Sequence, residues 1–166
     1  MIKDYTDFGG VARQGDVVIF RLPDSIKVNK TNEIHPVNNK LILLEGEMTG
    51  HHHSIDVLER INPVNPVNVS PSKFSSTVEG IMQRAINVVS ATANMYNDTQ
   101  VPENLVKNKI LTRTDMFIGV LVVEGGGDIG VVLKHQEHDS IRLTAGNYYI
   151  GHQIESYGEE IRKIQD

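Results

Sequence analysis

Glu45-Gly46-Glu47-Met48-Thr49-Gly50-His51-His52-His53-Ser54-Ile55 is the stretch whose reading decides the fold. Two glycines interrupt an apolar run, Lys40 to Glu45, and a second extended run follows, His51 to Leu58. Both read as strands, because short apolar or alternating runs bounded by turn residues fit a half-buried pleated surface. Successive side chains of a strand point to opposite faces. His51, His53 and Ile55 therefore share one face, and His52 and Ser54 the other. Residues two apart on a strand lie roughly 7 Å apart, close enough for two imidazoles to converge on one group.

Two more histidines, His135 and His138, stand some 80 residues later. They follow another apolar run, Ile129 to Lys134, so a neighbouring strand is expected to deliver them to the first pair. Imidazole suits zinc, iron, copper and nickel, and neutral histidine is a common metal ligand. His51, His53, His135 and His138 are thus the candidate metal ligands, with zinc, iron or manganese as the expected cofactor and Glu47 and Glu137 as nearby carboxylates. A hydrogen-bonded histidine cluster without metal is the alternative reading. His35 and His152 are assigned no role.

Outward from this centre the chain is mostly strand. Residues 1–14 read as an N-terminal arm, with Tyr5 and Phe8 as anchors. Val17 to Leu22 is a β-branched and aromatic strand, opened by Gly15-Asp16 and closed by Pro23. Residues 24–39 read as a long loop with at most a weak strand. Met116 to Glu124 is a strand, Gly125-Gly126-Gly127-Asp128 a turn, and Ile129 to Lys134 its hairpin partner. Ser140 to Leu143 and Tyr148 to Ile154 complete the set, and Ser156 with Glu159 predicts a short C-terminal helix.

The texture changes between. Ile61 to Asn68, with its repeated Asn-Pro-Val, reads as a linker, because proline offers no backbone donor. Ser76 and Glu79 form a capping box, and Val78, Ile81, Met82, Ala85, Val89, Ala93 and Tyr96 make a helical stripe that Asn97-Asp98 ends. A shorter helix is expected from about Pro102 to Lys109, with Ile110 to Arg113 as a further strand. The expected fold class is mainly β, a jelly-roll or cupin-like barrel built from residues 15–61 and 114–166. It carries a helix-containing insertion at 62–113 and the short C-terminal helix.

Composition bounds the function. Of 166 residues, 39% are hydrophobic and 22% charged, ordinary for a globular domain. The net charge of -5 argues against a nucleic-acid backbone as partner. No apolar run nears the roughly 18 residues that span a bilayer, so no membrane partner is expected. The polar start, Met1 to Tyr5, predicts no signal peptide. Without cysteine, disulfides and thiolate metal sites are excluded. The triple glycine lacks the lysine and helix of a phosphate loop, and no nucleophile elbow occurs.

Gly46 to Glu59 resembles the first cupin motif, a glycine followed by His-x-His and a later acid, and His138 to Tyr148 resembles the second. That resemblance implies a double-stranded β-helix holding a metal through His51, His53 and His138 or His135. Four residues separate Gly46 from His51 where the cupin motif has five. The chain is similar, too, to small uncharacterised proteins of bacteria and their phages. Those share Glu-Gly-Glu-x-Thr-Gly-His-x-His, a later His-x-x-His, Gly-x-Tyr and Gln-x-Glu, here Glu45 to His53, His135 and His138, Gly146 and Tyr148, and Gln153 and Glu155. That second resemblance, taken with the Asn/Pro/Val-rich extension and the lack of a complete catalytic set, leads to the expectation of a non-enzymatic virion protein of capsid decoration or cement type. It would be a homo-oligomer contacting the major capsid protein or other virion proteins, located in the virion or host cytoplasm. A metal-dependent cupin-like enzyme and a small-ligand-binding barrel are the alternatives.

Overall fold

A computed structural model describes residues 1–46, 50–57, 91–157 and 160–163. Two sheets face each other across one apolar core. The first sheet is ordered β1 (Ile2–Asp4), β10 (Ser140–Leu143), β9 (Val131–Lys134), β6 (His52–Asp56) and β5 (Lys40–Glu45). The second runs β2 (Val11–Gln14), β3 (Val17–Arg21), β11 (Gly146–His152), β8 (Phe117–Glu124), β7 (Thr92–Tyr96) and β4 (Glu33–Ile34). The architecture is mainly β and barrel-like, as expected, but the two sheets do not close into one barrel.

Alternation builds the core. In β3, Val17 and Ile19 are buried while Val18 and Phe20 are half-exposed. From the first sheet, Leu41, Leu43, Ile55, Leu133, Ile141 and Leu143 point inward. They meet Ile19, Met95, Leu121, Val123, Tyr148 and Ile150 from the second. Burying a side chain of this size contributes about 1.5–3 kcal/mol, so the interface is the main source of stability.

β8 is different, with Gly119 to Val123 buried without a break. Its inner face lies in the core, and its outer face lies under a helix, α1 (Gln100–Lys107). Val101 and Leu105, four apart and so on one helical face, pack over Val120 and Val122. Buried on both faces, such a strand reads as a continuous apolar run. The Asp98 carboxylate accepts the N–H of Gln100 at 3.2 Å and of Asn29 at 2.8 Å, which ties the start of the helix to the 22–32 loop.

Several expectations change. Ala93 and Tyr96, assigned to a long helix, lie in strand β7, which is hydrogen-bonded between β4 and β8. Alternation explains this: Ala93 and Met95 are buried and Asn94 is not. The rest of that helix (76–90) and the Asn-Pro-Val linker lie outside the described residues. Of the expected insertion, residues 92–107 supply one strand of the second sheet and its covering helix. Ile110 to Arg113 forms no strand. The N-terminal arm supplies β1, parallel to β10, and β2, antiparallel to β3. Tyr5 anchors it, donating to the Gly10 carbonyl at 2.5 Å and packing edge-on against Tyr148.

β8 and β9 are not a hairpin, since β8 already has β11 and β7 on its two sides, and β9 crosses to the other sheet. Nor is there a helix over the C-terminal residues described. β12 (Ile154–Tyr157) and β13 (Glu160–Lys163) form a β-hairpin; Glu159 of the expected capping box lies outside the described residues. Among the described residues no helix is long and apolar enough to cross a membrane.

Gly130, where the chain crosses into β9, has φ +56°, and a Cβ there would lie 2.1 Å from the Leu143 carbonyl oxygen. The Leu143–Val131 pairing holds that oxygen in place. Gly9 has a similar φ of +68° and open space around it. Gly9→Ala should therefore cost only the backbone strain, about 1 kcal/mol. Gly130→Ala should cost about 2–4 kcal/mol, because overpacking adds to it. Urea unfolding of the two variants separates the contributions.

Candidate functional site

The two remote histidine segments do come together. The His135 ring lies 4.4 Å from that of His53, 4.7 Å from that of His138 and 5.7 Å from that of His51, between ring centres. β6 and β9 are adjacent antiparallel strands, with Ser54 opposite Lys134 and Ile55 opposite Leu133. This pairing sets the end of β9 beside the start of β6, and hence His135 over His53.

The four histidines are not equivalent. His53 is 1% exposed and points inward beside Ile55, as alternation requires. Its Nδ1 lies 2.7 Å from Oε1 of Gln14, and its Nε2 lies 2.5 Å from Oδ1 of Asp16. Asp16 and Gln14 are themselves buried. Both belong to the tight β2–β3 turn, where Gly15 takes φ +55°. Gln14 Nε2 donates to the Leu133 carbonyl at 3.1 Å and to the Asp139 carbonyl at 2.9 Å. Both amide hydrogens are thereby placed, and Oε1 must face His53.

This geometry fixes a proton. An amide oxygen only accepts, so His53 Nδ1 must carry hydrogen. His53 Nε2 and the Asp16 carboxyl then share one further proton, whether as imidazolium with carboxylate or as imidazole with carboxylic acid. Without it, a lone pair would face a carboxylate at 2.5 Å in a buried site. No sequence motif marks Asp16 or Gln14 as partners of a histidine. The available signal was the inward phase of Ala12 and Gln14 in β2.

His135 has a different duty. Its Nδ1 accepts the backbone N–H groups of Glu137, at 3.1 Å, and His138, at 3.3 Å, so Nδ1 is its unprotonated nitrogen. His51 Nδ1 lies 3.6 Å from Oε1 of Glu137. His52 faces outward, and its backbone N–H donates to Gln136 Oε1 at 3.0 Å. On the outer side of β6, Asp56 meets Lys134 at 2.8 Å, and that hydrogen bond holds the Asp56 carboxyl below its ordinary value. His152 ends β11, and His35 is exposed beside Glu33.

As a metal site the set does not fit in this arrangement. His53 has both ring nitrogens engaged by protein, and His135 has one. Two of the ring contacts are tilted stacks, 32° between planes, and the third is edge-on at 88°. Among the described residues no group of three or more histidine, aspartate and glutamate side chains is placed to hold a metal ion. What the arrangement does well is fasten the two sheets, with one histidine buried and the others leading from it toward the surface.

Removing one member of a buried pair leaves the other uncompensated and costs about 3–5 kcal/mol. Asp16→Ala and His53→Ala should each lose about this much, and the double variant much less than their sum. Urea denaturation of the four proteins measures the coupling. Nitrogen NMR should find His53 Nδ1 protonated and His135 Nδ1 unprotonated at neutral pH.

Comparison with known proteins adds one finding. A family model described as a domain of unknown function (DUF8820) matches residues 13–69, a span that includes Gln14, Asp16 and His53. No curated protein and no solved structure matches the chain.

Proposed function

We propose that this chain is a non-enzymatic structural protein that assembles into homo-oligomers, of the capsid decoration or cement type, with the major capsid protein or another virion protein as its further partner. The observation that carries the assembly reading is the β12–β13 hairpin. Its strands pair with each other and, among the described residues, with neither sheet. A lone two-stranded hairpin is marginal in water, so it needs a surface to lie on. Among the described residues the sheets also end in edges at β5 and β2, and β5 pairs with β6 on one side while beyond Lys40, which is bonded to Val37, its other side has no strand. Open edges of this kind are the usual template for strand addition by another chain. The deepest histidine is committed to structure, which supports a non-catalytic role.

A second reading is favoured by one specific distance set. Two imidazoles on one zinc, with Zn–N of about 2.0–2.1 Å, stand with ring centres roughly 5 Å apart. The His135–His138 and His51–His135 separations, 4.7 and 5.7 Å, bracket this. Rotation of these three rings toward a zinc, iron or manganese ion would make a cupin-like centre without His53.

Size-exclusion chromatography with light scattering tests the first reading. The intact chain should run as a defined oligomer, and truncation after Gln153 should give a monomer that melts at nearly the same temperature. An intact chain that stays monomeric at high concentration overturns it. Elemental analysis of protein purified without chelator tests the second. Stoichiometric metal lost on His138→Ala supports it, and metal-free protein whose melting does not respond to added zinc, iron or manganese removes it.

A further inference from the structure

The outer face of the second sheet is apolar across β3, β11 and β8, but α1 covers only part of it. Val101 and Leu105 lie over Val120, Val122 and Tyr96. Past Tyr149 the cover ends, and a groove of about 460 Å³ opens. Its floor is Val18, Phe20 and Tyr149, and Phe20 and Tyr149 stack across the β3–β11 pair with centres 4.6 Å apart and planes 18° apart. Val11 and Arg13 of β2 form one wall, and the 110–113 segment the other.

Two independent features mark this groove. The first is where apolar surface remains exposed. Seven large hydrophobic side chains are exposed among the described residues, and Val11, Ile110 and Ile154 of these ring this one groove. Scattered single hydrophobics mean little, whereas convergence around a concavity marks a binding surface.

The second is charge. Arg113 on one wall is matched by a two-pronged contact with Asp115. Arg21 also lines the groove, but its guanidinium is turned to the Tyr148 and Thr144 oxygens, whereas Arg13 on the other wall gives its Nε–H to the neutral Gln153 side-chain oxygen at 3.1 Å and, among the described residues, has no carboxylate partner. Tyr149 adds no negative charge to the floor: a phenol is neutral at neutral pH, and burial, then Asp115, pushes this hydroxyl up further, to about 12.

We propose that the groove binds a small amphipathic anion, its flat apolar body lying on Phe20 and Tyr149 and its carboxylate or sulfonate paired with Arg13. The volume suits a compact ligand, since such pockets hold roughly 300–1,000 Å³. The planar guanidinium meets such an acid through two parallel hydrogen bonds.

The test uses anilinonaphthalene sulfonate, a planar anion that fluoresces when it leaves water, and its uncharged parent phenylnaphthylamine. The intact protein should bind the anion saturably at one site, and about tenfold more tightly than the neutral compound. Arg13→Gln, an exposed change, should remove that preference and leave neutral binding unaltered. Val18→Glu puts a carboxylate on the floor and should abolish binding of both, with each variant's melting curve reporting that the fold is intact. Equal affinity for the two probes, an Arg13→Gln variant that binds the anion as before, or no saturable binding would each overturn the proposal.

Discussion

One buried hydrogen-bonded network holds the two sheets in register. His53 belongs to β6 of the first sheet, and Gln14 and Asp16 to the β2–β3 turn of the second. Gln14 then reaches back to the carbonyls of Leu133 in β9 and of Asp139, just before β10 of the first sheet. The apolar core supplies most of the free energy of association, but it is non-directional and tolerates sliding. A polar network buried beside it tolerates none, because each shifted group would lose its partner in a low-dielectric site. Sliding either sheet by one residue, about 3.3 Å, would carry His53 out of hydrogen-bonding reach of Gln14 and Asp16.

The same network explains why the histidine-rich segment is packed as it is. His53 needs both nitrogens for its two partners, so its ring is held rigidly. His135 can then lie on that ring, its own Nδ1 fixed by the backbone of Glu137 and His138. The turn after β9 is thus organised by a side chain and not by glycine. His51 and His138 lie around this fixed pair. Rank within the cluster follows burial: the innermost histidine is a structural fastener, and the outer three retain contact with the surface.

Much of this was legible from the residues, with identifiable losses. Strands β3, β5, β6, β8 and β9 announced themselves by alternation or apolar runs, and the convergence of His51, His53, His135 and His138 followed from the phase of two strands. The fastener was not legible, because Gln14 and Asp16 are ordinary turn-flanking residues until a partner from another sheet faces them. The triple glycine after β8 signalled a reversal but not which sheet receives the returning strand. β8 was already flanked on both sides, so β9 had to pass to the other sheet. Ala93 and Tyr96 fit a helical period as well as a strand, and pairing with β8 decided between them. At the C-terminus a capping-box pattern and two spaced isoleucines suggested a helix, and pairing of Ile154–Tyr157 with Glu160–Lys163 prevailed over that local preference.

The division of labour between inside and outside bears on function. The most buried residue of the histidine motif works inside, and the readings proposed for the exterior rest on other features. There the groove and the lone hairpin are joined in the chain. Gln153 holds Arg13 at the groove wall, and its backbone N–H donates to the Asp16 carbonyl at 2.8 Å. Ile154 next to it both lines the groove and begins β12. The partner proposed for the hairpin would therefore touch the mouth of the groove through one residue. The Asp16 turn, which carries the buried histidine contact, fixes the other end of that link. The proposed assembly surface and the proposed ligand groove thus meet at Gln153 and Ile154, and Gln153 is tied to the Asp16 turn of the inter-sheet network.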